Sequence, residues 1–212
     1  MPQTAVSAHG KISKVTDATD IPQRKPRIYL AGPEVFFPNA IAQGEIKKRL
    51  CAERGFEGVY PLDNAIGTAG LSLQEIARRI SRGNEALMRS CDLLIANCTP
   101  FRGVSMDVGT AFEIGFMRAL DRPALGYTNH PADYASRVRN GAQEPYASWD
   151  AESAAADIED FGLSENLMIA VAIEDAGGTF VAHPAPADRM LSDLTGFIRC
   201  LEVAAEVMRR RA

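Results

Sequence analysis

The sequence has little that would build a metal or redox centre. Its four cysteines, Cys51, Cys91, Cys98 and Cys200, show no C-x-x-C spacing, and its three histidines, His9, His130 and His183, stand apart. That pattern argues against zinc ligation and a disulfide framework; buried reduced thiols are expected, with no metal and no cofactor. Basic charge is also scarce. The net charge is −4, and the one basic cluster, Arg209-Arg210-Arg211, is a terminal run of the kind that solvates a helix end, so nucleic acid is not an expected partner. No apolar run reaches membrane-spanning length, which argues against a membrane partner, and the polar segment Met1–Lys25 lacks the apolar centre of a signal peptide. The expectation is a cytoplasmic protein with a flexible tail over 1–25 and a single domain over 26–212, without repeats or low-complexity segments.

What is present alternates between strand and helix. Arg27–Ala31 reads as a buried strand ended sharply by Gly32-Pro33, and a helix follows over Ile41–Arg54, with Ile41, Ile46, Leu50 and Cys51 inward and Gly55 after its end. Gly58–Pro61 gives a second strand running into Leu62-Asp63-Asn64. Leu71–Ser90 gives a long helix with Leu73, Ile76, Ile80 and Leu87 inward. Pro123–Tyr127 and Thr179–Ala182 supply later strands, and a C-terminal helix from about Ala187 to Arg210 closes the chain. Thr128–Asp160, with the lone Trp149, reads as a long loop or a short exposed helix. The alternation predicts an α/β fold: a doubly wound, flavodoxin/Rossmann-like parallel sheet of five strands with helices on both faces. In such sheets the carboxyl ends of the strands line the ligand crevice, where Tyr29, Asp63, Asn97 and Asp107 fall.

The most informative stretch is CDLLIANCTPFRGVSMDVGTAFEIGFMRAL, Cys91–Leu120. A short apolar strand passes through a Pro/Gly loop into a helix, Val108–Leu120, that is apolar almost all round and so reads as buried. Glu113 interrupts that helix. A carboxylate in apolar surroundings is costly unless paired, hydrogen-bonded or needed, and its place in the second turn favours the ionised form suited to a nucleophile. Asp107 lies at the helix start, where it can cap the helix, and can converge on Glu113 if the loop folds over the helix end. Two carboxylates at the mouth of a strand–loop–helix unit suit glycosyl transfer.

With these residues in view, the sequence resembles the nucleoside 2-deoxyribosyltransferase family from Arg27 to about Met168. The resemblance rests on Tyr29-Leu30-Ala31-Gly32-Pro33, Pro61-Leu62-Asp63-Asn64, Pro100-Phe101-Arg102-Gly103, Asp107-x-Gly109-Thr110-Ala111-x-Glu113-x-Gly115 and Gly162-Leu163-x-x-Asn166-Leu167, in that order. It implies that Glu113 attacks C1′ of a 2′-deoxynucleoside, that Asp107 holds the sugar 5′-hydroxyl and that Tyr29 orients the nucleophile. Gly32, Pro33, Phe36, Asp63, Asn84 and Gly109 are expected at the substrate. Asn166 is expected to reach the site of a neighbouring subunit, which implies at least a dimer. Deoxyribonucleosides and free nucleobases are the implied substrates.

The chain departs from the family at two places. Asn84 stands where some members carry an aspartate proposed to protonate the leaving base; an amide cannot deliver that proton, so a bound water or Asp63 would take the role. The C-terminal carboxylate that serves the site in shorter relatives has no counterpart in a helix ending Arg210-Arg211-Ala212. Two other readings stand beside base exchange. One is a hydrolase of deoxynucleoside 5′-monophosphates, disfavoured because Glu34 and Asp107 would repel phosphate. The other is a non-catalytic nucleotide-binding module.

Overall fold

The alternation of side chains along the first strand sets the architecture. In β1 (Arg27–Ala31), Ile28 and Leu30 enter a core with Cys51, Phe56, Phe197 and Leu201, while Tyr29 and Ala31 enter a second core with Met88, Ile114, Met117 and Ile173. Both faces of the sheet are therefore covered. The computed structural model describes residues 24–64, 66–141 and 157–211, so most of the expected tail over 1–25, and Trp149, lie outside the described residues.

Five strands form the sheet: β1, β2 (Glu57–Val59), β3 (Leu93–Asn97), β4 (Ala124–Thr128) and β5 (Phe180–Ala182). Their order is β2-β1-β3-β4-β5 and every pairing is parallel, with Tyr29 opposite Val59 on one side and Leu94 on the other. The expected doubly wound α/β fold is present, and its strand order reverses between β1 and β3, the kind of switch point at which such folds bind ligands at the carboxyl ends of the strands. On one face lie α1 (Ala40–Ala52) and α6 (Thr195–Arg211); on the other lie α2 (Leu73–Arg89), α3 (Val108–Ala119) and α5 (Leu167–Asp175). A short helix, α4 (Tyr134–Gly141), occupies part of the segment read as a loop or short exposed helix. All four cysteines are buried and free, and no helix among the described residues is long and apolar enough to cross a membrane.

Four helices differ from the sequence expectation. The buried side of α1 is Gln43, Gly44, Lys47 and Cys51, while Ile41 faces solvent, because the turn below the helix offers a carboxylate to Lys47. Met88 is the one fully buried residue of α2; Leu73 and Ile80 are 85% and 45% exposed, since the helix meets its neighbours mainly near its end. The apolar girdle of α3 is buried on one side only, and Val108 and Phe112 stay 84% and 59% exposed. The C-terminal helix starts at Thr195 rather than near Ala187, because Asp193 Oδ1 accepts the Thr195 N–H (2.9 Å) and begins the helix there.

Candidate active site

Tyr29 stands mid-strand in β1 with its ring fully buried, which aims the phenol from the sheet toward α3. Its hydroxyl donates to Glu113 Oε1 at 2.6 Å. The other carboxylate oxygen, Oε2, has no hydrogen bond among the described residues, so one oxygen is held and the other remains available to react. Burial pushes the Glu113 carboxyl up to about 7; the Tyr29 hydrogen bond opposes that shift and the nearby Asp107 charge adds to it. The helix end is expected to favour the ionised form; burial acts in the opposite direction. The same burial, with the Glu113 charge, raises the Tyr29 phenol far above its ordinary value, so it remains a donor.

Asp107 caps α3. Its Oδ2 accepts the Thr110 N–H at 3.0 Å and the Thr110 hydroxyl at 3.3 Å. A Cβ at position 109 would sit 3.0 Å from that oxygen, so glycine there leaves the carboxylate room. Tyr29, Asp107, Gly109 and Glu113 thus lie together where β1 meets the N-terminal half of α3. Gly32 (φ 154°) and Pro33 end β1, and Pro33 opens a single 3-10 turn, Pro33–Phe36. Any side chain at Gly32 would collide with the Glu34 carboxylate. Phe36 leaves the turn half exposed and stacks on Phe101 with ring centroids 5.6 Å apart and planes 9° from parallel. The Arg102 guanidinium lies over both rings at 4.8 and 4.7 Å, held by a backbone in the left-handed region (φ 58°), which a non-glycine residue rarely adopts.

Three expected residues do not join this group directly. Asp63 is engaged on both oxygens, by Lys48 Nζ (2.8 Å) and by the Tyr60 N–H (2.9 Å), which locks it to α1 and to its own turn. Asn84 lies half buried on α2 beside Gly83, against which the Asn64 amide packs, and makes no hydrogen bond to Glu113, Asp107 or Tyr29. Asn166 caps α5, with Oδ1 accepting the Met168 N–H (2.9 Å) and Nδ2 donating to Glu159 (2.8 Å), so its amide is occupied within its own chain.

Sequence reasoning missed a buried polar network beneath the first loop. Glu34, 2% exposed, pairs with Lys47, 1% exposed; Glu34 Oε1 also accepts from Asn97 Nδ2 (2.9 Å) and the Tyr127 hydroxyl (3.3 Å). The Lys47 ammonium also lies over the rings of Tyr127 and Phe197, at 5.6 and 5.2 Å from their centroids. Placing Glu34 as a charge facing substrate phosphate is therefore corrected: its carboxylate is buried and neutralised. The available signal was the spacing of Lys47 with Gln43, Gly44 and Cys51 on one helical face.

The family model described as nucleoside 2-deoxyribosyltransferase matches residues 28–168. An uncharacterized protein, C191.05c, from Schizosaccharomyces pombe is 36% identical over 130 residues, a match spanning 60% of this chain and 62% of that protein. A 2-desoxiribosyltransferase structure from Leishmania mexicana superposes with a TM-score of 0.56 at 27% identity, covering 84% of this chain and 97% of that one. The matched span runs from the first strand to the start of α5 and takes in Tyr29, Asp107, Glu113 and Asn166 together; the protein belongs to the nucleoside 2-deoxyribosyltransferase family.

Proposed function

We propose that the protein exchanges the base of 2′-deoxyribonucleosides through a deoxyribosyl–Glu113 intermediate. The observation that carries this reading is the Tyr29 hydroxyl bonded to Glu113 Oε1 at 2.6 Å, with the second carboxylate oxygen unengaged beside the Asp107 cap. In the first step Glu113 forms a bond to C1′ as the C1′–N bond breaks, and the base leaves with that electron pair and takes a proton. Asn84 cannot supply the proton and Asp63 is held by Lys48, so it comes from water. In the second step a nitrogen of the incoming base attacks C1′ from the vacated side and gives up its proton to water, and Glu113 departs as a carboxylate, giving net retention. Asp107 accepts a hydrogen bond from the sugar 5′-hydroxyl, and the Phe36–Phe101 stack provides an apolar shelf for a planar base.

The direct experiment incubates purified protein with deoxyinosine or thymidine and free adenine, and follows deoxyadenosine. Product formation with a sugar adduct on the Glu113 peptide is expected; no exchange with any base would overturn the reading. Because the nucleophile must be ionised and its carboxyl lies at about 7, kcat/KM is expected to rise with pH through neutrality and level off above it. A pH dependence already flat between pH 5 and 8 would contradict that assignment.

A second reading, hydrolysis of deoxynucleoside 5′-monophosphates, gains from two observations: Glu34 is neutralised by Lys47, and the Arg102 cation lies beside Phe36. Rates on a nucleoside and its monophosphate, measured in the same assay, separate the two. A third, a non-catalytic binding module, would show neither product nor adduct.

We also propose that the active form is at least a homodimer. The helices over the Tyr29 face leave Leu73, Ile80, Val108, Phe112, Met168 and Val171 exposed, and a second copy covering them would keep water from the intermediate. In that assembly Asn166 exchanges Glu159 for the neighbouring site. Light scattering on the eluting protein is expected to give at least twice the chain mass, and a monomer at micromolar concentration would refute the assembly.

A further inference from the structure

Arg137, on α4, is nearly buried, and it is the meeting point of three segments distant in sequence. Its Nε donates to the Val104 carbonyl (2.7 Å), in the loop that leads from β3 to Asp107. Its Nη1 donates to the carbonyls of Ala132 and Ser164, each at 2.9 Å, and its Nη2 to Glu165 Oε2 at 2.5 Å. The other oxygen of Glu165 accepts from the Ser105 hydroxyl, so the ion pair is closed through the same loop. Glu165 is 1% exposed, and burial raises its carboxyl above the ordinary value while Ser105 and Arg137 oppose that rise. The planar guanidinium fork satisfies four acceptors in fixed directions, which a flexible ammonium cannot do.

Two of the linked residues lie close in sequence to the proposed site. Ser105 precedes Asp107 by two residues, and Glu165 is bonded directly to Asn166. The proposed function assigns Asp107 to the sugar 5′-hydroxyl and Asn166 to the site of a neighbouring subunit. We infer that Arg137 is a positioning residue for 5′-hydroxyl recognition: it joins the Asp107 loop to the Asn166 segment so that the two move as one unit. This inference rests on the proposed base exchange and deepens it. Arg137 touches no reacting atom, so its loss is expected in substrate binding rather than in the displacement at C1′.

The test compares a 2′-deoxynucleoside with its 2′,5′-dideoxy analogue in wild type, Arg137→Met and Ser105→Ala. In wild type, removing the 5′-hydroxyl is expected to lower kcat/KM about 10- to 100-fold, the range for a hydrogen bond to a charged group. Arg137→Met is expected to lose a similar factor on the complete nucleoside, mainly through KM, and less than about threefold on the dideoxy analogue. Ser105→Ala removes one hydrogen bond to Glu165 and is expected to lose about three- to tenfold with the same selectivity. It decides the matter if Arg137→Met does not fold. Equal losses on both substrates would show a merely structural arginine and overturn the inference, as would full retention of activity on both. A wild type that exchanges bases but ignores the 5′-hydroxyl overturns the inference alone, whereas a wild type that exchanges no base removes the functional reading and the inference with it.

Discussion

Glu113→Gln is expected to lose roughly three or more decades of base-exchange rate and, at the same time, to be more stable than wild type above neutral pH. The loss follows from removing the proposed covalent nucleophile, whose replacement cannot form the sugar ester. The gain follows from linkage. The carboxyl titrates at about 7 in the folded chain, against 4.5 as its ordinary value. Between those two values the folded state binds more protons than the unfolded state, so stability falls as pH rises through the window. Ionising the buried group therefore costs up to about 3 kcal/mol, fully present above pH 7 and absent below about 4.5. A glutamine keeps the acceptor for the Tyr29 hydroxyl without that cost. Melting temperatures at pH 5 and pH 8 should show the variant's advantage growing with pH. An advantage that is absent at pH 8, or equal at both values, would mean that the carboxylate is not under the strain its burial implies.

Lys47→Met is expected to destabilise the protein by about 3–5 kcal/mol, because it leaves the Glu34 carboxylate buried without its counter-charge. For a chain of this size that corresponds to a drop in melting temperature of about 10 °C. The asymmetry of buried ion pairs gives the control. Glu34→Gln combined with Lys47→Met removes both charges, and the double variant should recover a substantial part of the loss, with Asn97 and Tyr127 still donating to the amide oxygen introduced at position 34. Chemical denaturation of the two single variants and the double variant measures the coupling. If the losses simply add, the two side chains are not stabilising one another.

How much of this was legible in the sequence depended on distance along the chain. The five strands and their order of alternation with helices could be read because most are short apolar runs with Gly or Pro within a few residues of their ends, and because parallel strands need long crossovers. Tyr29, Asp107 and Glu113 could be named because local motifs carry them. Two kinds of feature could not be read. Apolar periodicity on α2 and α3 marks a face that needs covering, without telling whether the sheet or another chain covers it, so Leu73, Ile80 and Phe112 were placed inward and lie outward. The Glu34–Lys47 and Arg137–Glu165 pairs join loops to helices across 13 and 28 residues, and no local pattern announces which acid will meet which base. Asp63 and Asn166 were expected at the substrate, but their side chains are engaged by Lys48 and Glu159, partners that only the folded chain brings near.

The placement of Tyr29 at the middle of β1, hydrogen-bonded between two neighbouring strands, divides the site by mobility. In the proposed reaction, the phenol that steadies the reacting oxygen sits in a central strand, the kind of element whose amide protons exchange only on global opening, whereas Phe36, Phe101 and Arg102 project from a turn and a loop, segments that open at far lower cost. On the proposed mechanism, substrate would thus enter and leave by local breathing at the rim while the aim of Glu113 stays fixed from one turnover to the next.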